Sequence, residues 1–151
     1  MKRHEALYPL SHHHHHALVT AVELKKAGTE KAEKSLQDYR RSVIEFWEQN
    51  GRNHFRDEEE VLLPLFAHYG DVDQEPVKEM LIQHAKIRGM VEQLREQARL
   101  SAEQFRELGE LLDAHVRLEE RTIFPMIEEV VPEKLLYQAN GRFHRDSVSG
   151  R

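Results

Sequence analysis

The sequence predicts an all-α fold, an up-down-up-down four-helix bundle with a short fifth helix near the C-terminus. Three observations carry that prediction. Apolar residues recur at helical spacing along four stretches, capping residues with glycines and prolines punctuate their ends, and no stretch alternates as a half-buried strand does. Short connections between amphipathic helices in a chain of 151 residues suit a bundle. One domain is expected over residues 1–144, with 145–151 as a flexible tail.

Ser11 is expected to cap the first helix, which runs to about Lys26 and stops at Gly28. Thr29 is expected to cap the second. From Glu30 to about His68, Leu36, Tyr39, Val43, Phe46, Trp47, Phe55, Leu62 and Leu65 keep helical spacing, interrupted only by Gly51 and Pro64, which suggests a long, kinked helix. Tyr69-Gly70-Asp71 makes a turn. Asp73 and Pro76 start a third helix carrying Val77, Leu81, His84, Ile87, Val91 and Leu94, with its end expected near Leu100. Ser101 and Gln104 form a capping box for the fourth helix, which runs through Phe105, Leu108, Leu111, Leu112, His115 and Ile123 towards Glu129, with a bend expected at Pro125. Pro132 to about Ala139 gives the short fifth helix.

Composition narrows the chemistry. The chain has 27 acidic and 22 basic residues, a formal charge of -5, and its basic residues form no stripe, so nucleic acid is not an expected partner. No apolar run approaches membrane-spanning length and the N-terminus does not read as a secretion signal, so a cytoplasmic location is the expectation. Cysteine is absent, which removes disulfides, thiolate catalysis and Cys-ligated metal sites and leaves N and O donors. The anomaly is eleven histidines, five of them consecutive at His12 to His16. An expression tag is one reading of that run, but it leads straight into Ala-Leu-Val-Thr-Ala-Val of a helix.

One phrase occurs twice. His54-Phe-Arg-Asp-Glu58-Glu-Glu-Val-Leu-Leu-Pro64 and His115-Val-Arg-Leu-Glu119-Glu-Arg-Thr-Ile-Phe-Pro125 share His, Arg, two Glu, an apolar pair and Pro in register. Residues four apart lie on one helix face, so each phrase offers an imidazole and a carboxylate pointing the same way. Core residues precede both histidines at similar phase, which turns the clips inward. His84 is in line with Val77, Leu81, Ile87 and Val91 and points inward as well. In the first helix His15 reproduces the spacing of His84, with Leu18, Val22 and Glu23 following it, and His14 is the close alternative. Glu59 and Glu60 read as a solvated face, and His68 and His144 as surface or tail. A lone buried histidine is more often a hydrogen-bonded part of the core than a ligand, but two clips in one bundle favour metal. Four imidazoles and two carboxylates suit a borderline transition metal, iron first, with zinc or manganese as substitutes.

These residues resemble the hemerythrin-like, or HHE cation-binding, family over about residues 10 to 130, and the endings Leu-Leu-Pro and Ile-Phe-Pro look like its bacterial form. In that family a His on helix one, His-x-x-x-Glu on helix two, His on helix three and His-x-x-x-Glu on helix four surround a carboxylate-bridged pair of non-haem iron ions. The resemblance implies His15 (or His14), His54, His84 and His115 as terminal ligands and Glu58 and Glu119 as bridges. The oxygen-carrying members have a second histidine four residues after the helix-three ligand, where this chain has Arg88, so reversible oxygen carriage is not implied. They also place the last carboxylate five residues after its histidine, which would select Glu120. A residue at +4 departs from its partner by about 40° around the helix and one at +5 by about 140°, which favours Glu119.

The expected function is therefore a metal-binding protein that senses, stores or scavenges iron, oxygen, nitric oxide or peroxide. Its partners would be metal ions and small diatomic ligands or peroxide. A di-iron oxidase or peroxide-consuming enzyme and a metal-free structural bundle are the alternatives, and no catalytic residue is assigned.

Overall fold

The structure is a computed structural model and describes residues 3–145; the expected tail lies, from 146 onwards, outside the described residues. A 3₁₀ turn at Glu5–Leu7 leads into α1 (Tyr8–Lys25). Then come α2 (36–67), α3 (Glu75–Glu96), α4 (102–130) and the short α5 (Glu133–Asn140). Among the described residues there is no strand, and no helix is long and apolar enough to cross a membrane.

Two helix starts differ from expectation. α1 begins before Ser11, because His4 Nδ1 accepts from the Ala6 amide at 3.0 Å and Pro9 sits in the first turn, where its missing N–H costs nothing. Ser11 instead turns its hydroxyl to Glu120 at 2.7 Å. Thr29 belongs to the loop: its Oγ donates to the Lys26 carbonyl at 2.6 Å and accepts from the Lys31 amide at 3.2 Å. Ser35 caps α2 by accepting from the Asp38 amide at 3.1 Å. Gly28 stops the first helix at φ 73°, and a Cβ there would come within 2.5 Å of Ala102 Cβ. α3 ends at Glu96, short of Leu100, and the Ser101–Gln104 capping box is present at the head of α4.

Each proline inside a long helix is preceded by a change in helix type. Proline cannot donate to the carbonyl four residues back, and its ring crowds that carbonyl. Both long helices meet this with a π turn just before the proline: Glu58–Leu62, where Leu63 N–H donates to the Glu58 carbonyl, and Glu119–Ile123, where Phe124 N–H donates to the Glu119 carbonyl. A further π turn spans Trp47–Gly51. The helices continue through all three.

The apolar core forms two clusters. One gathers Leu10 of α1, Leu62 and Phe66 of α2, Met80 of α3 and Ile123 and Ile127 of α4; the other gathers Leu24, then Tyr39 and Val43, then Val91 and Leu94, then Phe105 and Leu108. Each successive helix therefore runs from one cluster to the other in the opposite sense, which is the up-down-up-down order. α5 closes the first cluster with Leu136 and Ala139, and Asn140 Nδ2 donates to the Ala6 carbonyl at 2.9 Å. Each fully buried large side chain there contributes roughly 1.5–3 kcal/mol. Met80 is buried in place of Leu81, which is 41% exposed. Residues 14, 54, 58, 84, 115 and 119 lie between the clusters.

Candidate metal centre

On α1 the inward face is Leu10, His13, His14, Ala17, Ala21 and Leu24. His14 keeps the phase of Leu10, Ala17 and Ala21, whereas His15 is exposed beside Val19 and Val22, which are themselves more than half exposed. The structure thus leaves His15 out of the cluster and brings in His14. The small residues face inward because α1 and α4 approach closely: a Cβ on Gly109 would come within 2.9 Å of the Ala21 carbonyl oxygen. Large valines therefore point outward, against the usual sense of a hydrophobic pattern.

Two four-donor groups result, with their ligand atoms within 4.8 Å of one another: His14, His54, Glu58 and Glu119, and Glu58, His84, His115 and Glu119. All of these side chains are buried, and both carboxylates belong to both groups. In the first group His14 Nε2 is 2.7 Å from Glu119 Oε1, and His54 Nε2 is 2.9 Å from Glu58 and 3.4 Å from Glu119. In the second, His84 Nε2 is 3.0 Å from Glu58 and 3.6 Å from Glu119, and His115 Nε2 is 2.9 Å from Glu119 Oε2.

These atoms fit a shared cation better than they fit each other. Glu58 Oε2, Glu119 Oε2 and His115 Nε2 are buried with no hydrogen-bond partner among the described residues, although the His54–Glu58 and His115–Glu119 contacts are both 2.9 Å. Short contacts without hydrogen-bond geometry mean that the lone pairs converge on a common space. Each carboxylate thus has one oxygen hydrogen-bonded and one left over, and a buried acceptor left over is costly unless something positive meets it.

The outer nitrogens are held too. His14 Nδ1 lies 2.6 Å from Glu120, and His84 Nδ1 lies 2.6 Å from Glu59. The repeated phrase therefore works as His-x-x-x-Glu-Glu: the first glutamate enters the cluster, and the second reaches the lone histidine of the neighbouring helix. Glu59, expected on a solvated face, is half-buried with this role, while Glu60 and His68 are exposed. Glu120, the alternate for Glu119, backs His14 and stands outside both groups. His115 Nδ1 is 2.8 Å from Gln83 Oε1, and His54 Nδ1 is 3.0 Å from His13 Nδ1. Arg88 donates to Glu59 at 2.8 Å and lies over the Phe55 ring at 5.5 Å. His144, expected at the surface or in the tail, is packed against His13 with ring centroids 4.3 Å apart, and its backbone N–H donates to Asp57 at 2.8 Å. Gln83, His13 and the second glutamates were missed because side chains that hold a ligand carry no spacing signature of their own; the shared Glu-Glu of the repeat was the one available signal.

Electrostatics follow the same pattern without metal. Burial pushes the His54 imidazole down, but Glu58 and Glu119 override it and hold it up to about 10. Burial opposes protonation of His84 too, and Glu119, Glu58 and Glu59 carry it up to about 11. His14 is raised against burial by Glu119 and Glu120. Burial would raise the carboxyl of Glu119, yet His115 and His14 hold it well below the usual range. His13 goes the other way, driven down to about 2 by burial and by its neighbours His54 and His144. Protonation is favoured at the centre of the layer and disfavoured at His13 beside it.

Compared with protein families, residues 7–127 match the Hemerythrin HHE cation binding domain. Among curated proteins no match is found. The family match and the buried His/Glu cluster fit metal binding.

Proposed function

The chain belongs to the hemerythrin HHE cation-binding family, and we propose that it holds two non-haem iron ions, one by His14 and His54, the other by His84 and His115, with Glu58 and Glu119 reaching both. The observation that supports this above the others is the sharing of both carboxylates by two four-donor groups. Two dications in one buried layer repel, and anionic oxygens common to both reduce that repulsion. Imidazole and carboxylate suit iron, and zinc or manganese can take the same donors.

Two imidazoles and two shared carboxylates leave each ion short of the six ligands that iron commonly takes, so each keeps positions for a small ligand. When bound, the iron pair supplies reversible one-electron chemistry and a Lewis-acidic surface for a diatomic molecule or peroxide. The protein's own residues do the rest. Glu120 and Glu59 accept from the outer N–H of His14 and His84, which fixes the tautomer and makes the inner nitrogen a better donor. Phe55 stacks on His84 at 3.9 Å between centroids and shields that half from water. Arg88, standing where an oxygen carrier has a fifth imidazole, pairs with Glu59 at 2.8 Å and offers no lone pair to a metal. The reading is a protein that senses, stores or scavenges iron or an iron-binding small molecule such as oxygen, nitric oxide or peroxide.

Protein purified aerobically from iron-replete cells is expected to carry about two iron ions per chain, with near-ultraviolet charge-transfer absorption. Fully helical protein that takes up no metal on reconstitution would overturn the proposal.

A further inference from the structure

Only His14 of the five-histidine run enters the cluster. His15 and His16 line an open groove of about 390 Å³ between α1 and α2, together with Glu45 and Gln49, and no lysine or arginine lines it. Next to this groove lies a small cavity of about 20 Å³ bounded by His14, His54 and His115. Phe46 and Asn50 line both spaces, so these two side chains stand between the groove and the cavity beside the metal layer.

Asn50 stands four residues before His54, on the strip that continues to Glu58. Its Oδ1 is sealed from solvent and has no hydrogen-bond partner among the described residues. An unpaired buried acceptor is costly, and a passing cation satisfies it without bringing a proton. The helix is widened at this point, since Asn50 belongs to the π turn Trp47–Gly51, a deformation common at functional sites.

We propose that this groove is the entrance by which divalent transition-metal ions, ferrous iron among them, reach the buried centre. The inference rests on the metal-binding reading above. A hydrated ion is too large for a cavity that holds about one water-sized probe. His15, His16 and Glu45 replace its outer waters in the groove, and the Asn50 oxygen receives it as Phe46 swings aside. His14 and His54 then take it on the far side. His15, exposed, and His16, half-buried, thereby gain a role that spacing alone did not supply.

The test is the rate at which metal-free protein takes up cobalt(II), followed by stopped-flow absorption, with equilibrium metal content measured on the same samples. Phe46→Ala should fill about fivefold faster or more, and Asn50→Leu about fivefold slower, as expected when entry is gated by a side chain. Glu45→Gln with His16→Gln should slow uptake at low salt, with the difference from wild type shrinking at high salt. All variants should reach the wild-type metal content, and His68→Ala should match wild type in rate. Phe46→Ala and Asn50→Leu both within about twofold of wild type, with full helicity, would overturn the route and leave the metal centre standing. Wild-type protein that binds no cobalt at equilibrium would overturn the centre itself.

Discussion

The two halves of the buried layer are built from the same phrase and differ in what surrounds them. In each half one imidazole is backed by a carboxylate, His14 by Glu120 and His84 by Glu59. The other is backed by a group without charge of its own, His54 by His13 and His115 by Gln83. The halves part company beyond that shell. Glu120 is gripped by Ser11 and by Arg3 of the N-terminal segment, and both imidazoles of this half border the small cavity, as His115 of the other half does. Glu59 is gripped by Arg88, and Phe55 is stacked on His84. Repetition thus supplies equivalent ligands, and the neighbours keep His84, under Phe55, away from the cavity that the other three imidazoles border.

The comparison is broken most directly at the groups common to both halves. Glu58→Ala or Glu119→Ala should remove both ions, taking metal content from about two per chain to well under one, since each leaves both groups short of an anionic donor. A variant that keeps one tightly held ion would show that the carboxylates are not shared. Metal analysis of folded protein, checked by circular dichroism, decides it.

Next in size are the residues private to one half. His14→Ala and His84→Ala should each lower content towards about one ion per chain. His15→Ala should leave equilibrium content unchanged. Loss of metal from His15→Ala equal to that from His14→Ala would contradict the placement of α1.

That choice between His14 and His15 marks where the sequence stopped being legible. The four helices, their order and the inward clips could be read because apolar periodicity and the phrase itself sit in α2 and α4. The first helix could not be phased, since its buried face is made of Ala17 and Ala21 while Val19 and Val22 point to solvent. Close approach at Gly109 reverses the size preference, and that approach is tertiary information. The same holds for Leu81 and Met80, adjacent apolar residues of which only the second is buried. The π turns were invisible for another reason: Pro64 and Pro125 were legible as disruptions, but which backbone pairing a helix adopts ahead of a proline depends on what packs around it.

Smaller effects separate the shells behind the ligands. Glu120→Gln and Glu59→Gln should each weaken metal binding by about tenfold, at the lower end of what such outer partners contribute. Gln83→Leu should cost less, because it removes a neutral acceptor. Competition titration against a chelator measures these affinities. Unequal effects of the two glutamate changes would show that their own partners, Ser11 and Arg3 for Glu120 and Arg88 for Glu59, carry different weight.

The smallest effect is a slope with pH. His54 and His84 have folded values raised to about 10 and about 11 by their carboxylate neighbours. A raised group contributes stability that is complete below its unfolded value, near 6.5, and is lost as pH climbs through the folded value. Metal-free protein should therefore melt at progressively lower temperature from about pH 6.5 to 10. Glu59 and Glu120, held down to about 2, do not contribute to this slope, because their stabilisation is complete above about 4.5 and fails only in strong acid. Metal reverses the sign: ions bind neutral imidazoles, so protons compete with them and loading strengthens as pH rises. The gap in melting temperature between loaded and metal-free protein should widen between about pH 6.5 and 9, measured by scanning calorimetry in matched buffers. A gap that narrows over that range would mean that the imidazoles of this layer do not surrender their protons to a metal.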